Sequence, residues 1–98
     1  MREGDRIYNR IRRKREESGY RQSDVAFMLG HKNSSQVSCY ERGLIMPDSE
    51  NMMKLCYCLN TMPEGLYCEI TKKWKEGVDE KRVMLRKNKT INTKRNAL

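Results

Sequence analysis

Met52, Leu55, Cys56 and Leu59 stand at i, i+3, i+4 and i+7, a spacing that lines one side of an α-helix and neither face of a β-strand. Pro47 and Asp48 precede the run, and aspartate is a residue type that caps helix N-termini. Shorter stripes of the same period surround it. Ile7, Ile11 and Arg15 repeat every four residues, with Tyr8 beside them, and predict a first helix over residues 5–18 that Gly19 ends. Val25, Ala26 and Leu29 mark a second helix closed by Gly30, where Ala26 is small enough for another helix to cross close by. Val37 and Tyr40 mark a third, from near Ser34 to Gly43. A fifth starts at Pro63, a residue favoured at the first helical position, and carries Leu66, Tyr67, Ile70 and Trp74. No segment alternates over strand length, so the pattern predicts an all-α domain of five short helices joined by tight turns.

A chain of 98 residues has room for one modest core. Its residues are 37% hydrophobic and 35% charged, with no apolar stretch long enough to cross a bilayer and no apolar signal region at the N-terminus. The expected location is therefore the cytoplasm, with no membrane partner. The positive charge is unevenly placed. Residues 1–70 hold 11 basic and 10 acidic side chains, whereas residues 71–98 hold 10 and 3, so nearly all of the +8 excess lies in the last quarter. This divides the chain into a folded domain over residues 1–70 and a basic C-terminal extension over residues 71–98. The extension reads as a short basic helix or strand followed by a stretch with little to bury, hence partly disordered.

Several chemistries lack materials. Cys39, Cys56, Cys58 and Cys68 form no Cys-x-x-Cys pair and His31 is the sole histidine, so no metal site is expected and the thiols read as reduced packing residues. One histidine, no nucleophile–base arrangement and no glycine-rich phosphate loop leave no catalytic residue to assign and no cofactor to bind. The methionines Met28, Met52, Met53 and Met62 read as core or interface filler.

Arg15 shares the stripe of Ile11, which aims a guanidinium at the interior. Glu41 follows Val37 by four residues and so shares its inward face. The two are expected to pair, tying the first helix to the third. With Val37 inward, Ser35, Cys39 and Arg42 point away from the core, Ser38 lies nearby and Gln36 sits on the flank. Such a short, polar outer face, preceded by the second helix and a turn over residues 30–33, fits a helix-turn-helix that lays its second helix in the major groove of DNA. Asn33 and Gln36 offer amides able to pair with adenine.

From Ile11 to Tyr67, "IRRKREESGYRQSDVAFMLG", "SSQVSCYERGLIMPDSENMMKLCYCLN" and "PEGLY" resemble the lambda-repressor-like, Cro or XRE-type, helix-turn-helix family. Arg15, Gln22, Ala26, Gly30, Tyr40 to Gly43 and Pro47 carry the likeness at matching spacing. The resemblance implies a five-helix domain acting as a dimeric transcriptional regulator. It implies a phosphate contact for Gln22 and base-reading positions for Ser34, Ser35, Gln36 and Cys39. Three departures accompany it. The turn after Gly30 is one residue longer than in the shortest members, which brings Lys32 and Asn33 into the contact; Arg21 stands where a Ser or Thr cap is common; Cys39 replaces a longer polar residue. Lys32, Arg21 and Arg42 are phosphate candidates.

The expected function is a sequence-specific DNA-binding transcriptional regulator, a repressor binding a palindromic operator in double-stranded DNA as a homodimer. Regulators of this size resemble those of prokaryotic phage and mobile elements. The alternative is an antitoxin of a toxin–antitoxin pair, with a protein partner docking on residues 71–98.

Overall fold

The computed structural model describes residues 6–96, with side chains over residues 6–89. Among the described residues six helices follow one another: α1 (Ile11–Glu17), α2 (Gln22–Leu29), α3 (Ser35–Glu41), α4 (Ser49–Cys58), α5 (Pro63–Leu66) and α6 (Cys68–Asn96). Among the described residues there is no strand. Ile11, Val25, Ala26, Leu29, Val37, Tyr40, Leu55, Leu59, Leu66 and Tyr67 form the core, each at most 3% exposed. Helix α2 is central, packing on α3 and α4.

Helix α1 begins later than the Ile7–Ile11–Arg15 repeat predicts, and Asn9 is the reason. Its Oδ1 accepts the Ile11 N–H at 3.1 Å, supplying an acceptor to the helix start, while its Nδ2 donates to the Ile7 and Tyr40 carbonyls at 3.0 and 2.9 Å. Residues 7–10 therefore run as an irregular strap rather than a helical turn. The strap also pairs with the end of α3, where the Ile7 N–H donates to the Gly43 carbonyl at 2.9 Å. Gly43 is buried at φ +73°, and a Cβ there would run into the Ile7 carbonyl, so glycine is required twice over. The expected helix start at Asp5 lies outside the described residues.

At the end of α2, Gly30 adopts φ +83° and the His31 N–H reaches back to the Ala26 carbonyl at 2.9 Å, the left-handed closure that satisfies late helix carbonyls. Asp48 caps α4 by accepting the Asn51 N–H at 2.9 Å, and the stripe it introduces buries Leu55 and Leu59 with Met52 and Cys56 packed beside them.

The predicted fifth helix is two. Tyr67, at φ −124° and ψ 53°, interrupts it between α5 and α6. Adjacent residues on an unbroken helix point about 100° apart; Leu66 and Tyr67, at the break, both lie in the core. Trp74, beyond it, is half exposed. From Cys68 the backbone then stays helical for 29 residues. Lys, Arg, Glu, Met and Leu dominate this stretch and favour helix, with Gly77 the weak link. The result is an arm: the molecule measures 64 × 29 × 23 Å, and every residue from 81 to 89 is exposed. Residues 97–98, the end of the expected disordered stretch, lie outside the described residues.

No described helix is long and apolar enough to cross a membrane.

Candidate nucleic-acid interface

Helix α3 is anchored by its inner face. Val37 and Tyr40 are buried, and Glu41, whose side chain is 4% exposed, meets Arg15, at 11%, across α1 and α3. Arg15 Nε donates to Glu41 Oε2 at 2.6 Å and Nη2 to Oε1 at 3.2 Å, the two-pronged geometry of an arginine fork. The remaining Arg15 nitrogen, Nη1, donates to the Tyr20 carbonyl at 2.8 Å, tying in the α1–α2 turn. Gln22 completes the network by donating from Nε2 to Glu41 Oε1 at 3.0 Å. One carboxylate thus joins the starts and ends of three helices. The hydrogen bond to Glu41 pushes the Arg15 pKa up, against the opposing cost of burial.

The opposite side of α3 is open. Ser35, Gln36 and Arg42 are exposed, and Ser34, Ser38 and Cys39 are half-buried. Arg42 lies along this side, its Nη2 3.8 Å from the Cys39 sulfur. The helix start differs from a serine-capped one: Ser34 makes no side-chain cap, and Asn33 Oδ1 accepts the Ser35 N–H at 3.0 Å. Asn33 therefore shapes the turn with its carbonyl and keeps its amide hydrogens outward. Lys32, just before it, is exposed.

At the neighbouring end of α2, Arg21 is exposed and lacks the hydroxyl of a capping residue. Asp24 substitutes, accepting the Arg21 N–H at 2.7 Å and setting a carboxylate in the first helical turn. Gln22, held by Glu41, has a second amide hydrogen with no acceptor among the described residues. The hydrogen bond between Gln22 and Glu41 fixes this end of α2 beside the base of α3. Two short helices are so held at a turn of residues 30–34, one locked to the core and the other presenting small hydroxyls and an amide.

Residues 11–64 match the helix-turn-helix family model, of the Cro/C1 type. The chain belongs to that family. It is thus a DNA-binding regulator of the lambda-repressor-like kind. No curated protein and no solved structure matches the chain significantly.

Asn9 and Asp24 were not legible as site-building residues. Asp24 had a signal, an acidic residue three positions after the start of a helix without a Ser or Thr cap. Asn9 bonds locally to Ile7 and Ile11, but nothing signalled its reach to the Tyr40 carbonyl 31 residues away. His31 is a third such residue. It sits in the α2–α3 turn with its ring centroid 6.5 Å from that of Tyr40 and its Nε2 buried without a hydrogen-bond partner among the described residues.

Proposed function

We propose that the protein is a transcriptional repressor that binds a palindromic operator as a homodimer, with α3 of each copy in the major groove. Ser34, Ser35, Gln36 and Cys39 face base edges in this reading. Arg21, Gln22, Lys32 and Arg42 contact phosphates, and Asn33 holds the turn while offering its amide hydrogens. The observation that carries it is the two-sidedness of α3: a buried carboxylate network fixes one side, and the other is polar, short and uncovered. Small outward residues let the helix backbone approach base edges, and the amide of Gln36 can pair with adenine. Repression follows by occlusion of a promoter.

Selection of bound sequences from a random duplex pool tests this. The expected result is an enriched motif with two-fold symmetry and half-sites about one helical turn, roughly 10 base pairs, apart. Affinity for that motif falls steeply with salt, with a log–log slope near −0.9 for each phosphate neutralised. An asymmetric motif would remove the dimer, and no motif at all would remove sequence-specific binding. A second reading, an antitoxin whose C-terminal helix docks on a protein, is favoured by the half-exposed Trp74 and Val78 of α6. It predicts a partner complex that survives salt concentrations that strip the chain from DNA.

A further inference from the structure

The arm formed by α6 exposes apolar side chains where no element of the fold covers them. Val78, Met84 and Leu85 are 55%, 61% and 53% exposed, and Trp74 is 50% exposed. A single helix in water with this much unpartnered length is marginal by itself, more so with a glycine at residue 77. Its sequence carries a second, more specific pattern. Trp74, Gly77, Lys81, Met84 and Asn88 follow one another in alternating steps of three and four, a period of 3.5 that makes one seam along the helix. Val78 and Leu85 border the seam on one side, Glu80 and Lys87 on the other.

We propose that α6 pairs antiparallel with α6 of a second copy of this chain along that seam. The pairing rests on the homodimer of the preceding section and assigns its interface. Charge complementarity selects both partner and direction. With the two-fold axis beside Arg82 and Val83, Glu80 of each copy comes opposite Lys87 of the other. Val78 comes opposite Leu85, and the Lys81 stem lies along Met84. Each of these contacts occurs twice by symmetry. Neither Glu80 nor Lys87 has an ion pair within its own chain among the described residues, so both are available. A parallel pairing instead sets Lys81 against Lys81 and leaves Glu80 beside Leu85. It would also stack two stretches that, from residue 81 to 96, contain seven basic and no acidic residues. Glycine at residue 77 permits close approach of the two backbones at the seam. At 1.5 Å per residue, the two α6 starts stand about 40 Å apart, on the scale of one turn of DNA, so the arm sets the spacing of two helix-turn-helix units.

The test is sedimentation of the full chain without DNA, with circular dichroism to follow folding. The wild type is expected to be a dimer at micromolar concentration. Val78→Asp with Leu85→Asp is expected to be monomeric, with the melting of the α1–α5 core unchanged because both residues are exposed. Glu80→Lys and Lys87→Glu are each expected to weaken the dimer about tenfold. The two together restore it, since the pair is remade in the opposite sense. A wild-type monomer overturns the pairing, which is the result expected if α6 instead seats on nucleic acid or on another protein. A double swap no stronger than the single variants also overturns it. A monomer that still selects a duplex motif removes the pairing alone, while a dimer that selects none removes the DNA reading alone.

Discussion

Replacing Glu41 with alanine removes the acceptor for three hydrogen bonds, two from Arg15 and one from Gln22, at 2.6, 3.2 and 3.0 Å. The Arg15 guanidinium, 11% exposed, is left with the Tyr20 carbonyl as its hydrogen-bond acceptor and with the largely exposed Glu16 carboxylate 4.0 Å away. Breaking a buried pair from one side typically costs about 3–5 kcal/mol, because the surviving charge stays desolvated. Domains of this size have about 5–15 kcal/mol in total, and each kcal/mol moves Tm by about 4–8 °C. The expected fall in Tm for Glu41→Ala is on the order of 20 °C, measured by circular dichroism and cross-checked by urea titration. Changing both partners, Arg15→Met with Glu41→Leu, is expected to recover much of that loss, because neither then carries a charge into the interior. Glu17→Ala serves as the control: its pair with Arg13 spans 3.1 Å between side chains 54% and 70% exposed, and its loss is expected to leave Tm essentially unmoved. If Glu41→Ala costs under about 1 kcal/mol, the pair is solvated like a surface one. A double replacement that melts no higher than Glu41→Ala would mean that a stranded buried charge is not the cause of the loss.

The remaining expectations concern other parts of the molecule. Burial pushes the Tyr67 phenol up to about 12. Because the folded form holds the proton more tightly, its contribution is complete below the ordinary tyrosine value near 10 and is lost as pH climbs from there toward 12. Tyr67→Phe is expected to flatten stability over that window in alkaline melting curves while costing little near neutrality, since the buried hydroxyl has no hydrogen-bond partner among the described residues. Gly43→Ala is expected to cost more than Gly19→Ala in urea unfolding. Both sit at positive φ, +73° and +79°, but a Cβ meets the Ile7 carbonyl at one and open space at the other. The shared conformational penalty is about 1–2 kcal/mol, and equal losses would refute the steric difference. Ser35→Ala with Gln36→Ala is expected to weaken the selected duplex about 10- to 100-fold in a titration, at about 1–3 kcal/mol for a bidentate base contact, with Tm unchanged.

Much of the core could be read directly. Val25, Leu29, Val37, Leu55 and Leu59 fall on helical stripes and are buried, and the same geometry turned Glu41 inward four residues after Val37. The outward side of α3 followed from that choice, because a helix with one buried face has only one other to offer. Elsewhere the stripe overreached. Ile7 continues the period of Ile11 and Arg15 yet lies in the strap, and Trp74 continues that of Ile70 yet stays half exposed. At Ile7 the period is interrupted by a contact that local spacing does not encode, Asn9 reaching Tyr40; at Trp74 the period is unbroken, but the helix carries it to the edge of the core.

The sequence alone determined what repeats within a few residues: the all-helical class, the glycines that close α2 and α3, the apolar faces and the basic end. These follow from the 3.6-residue period and from side chains acting on their own turn. Tertiary structure decided where α1 begins, where the fifth helix breaks, and how Arg15 and Gln22 meet at the Glu41 carboxylate while Arg15 also reaches the Tyr20 carbonyl. It also decided that α6 stands out from the domain as an uncovered arm. Those outcomes depend on groups far apart along the chain, whose encounter is set by how the whole core closes and not by the residues on either side of them.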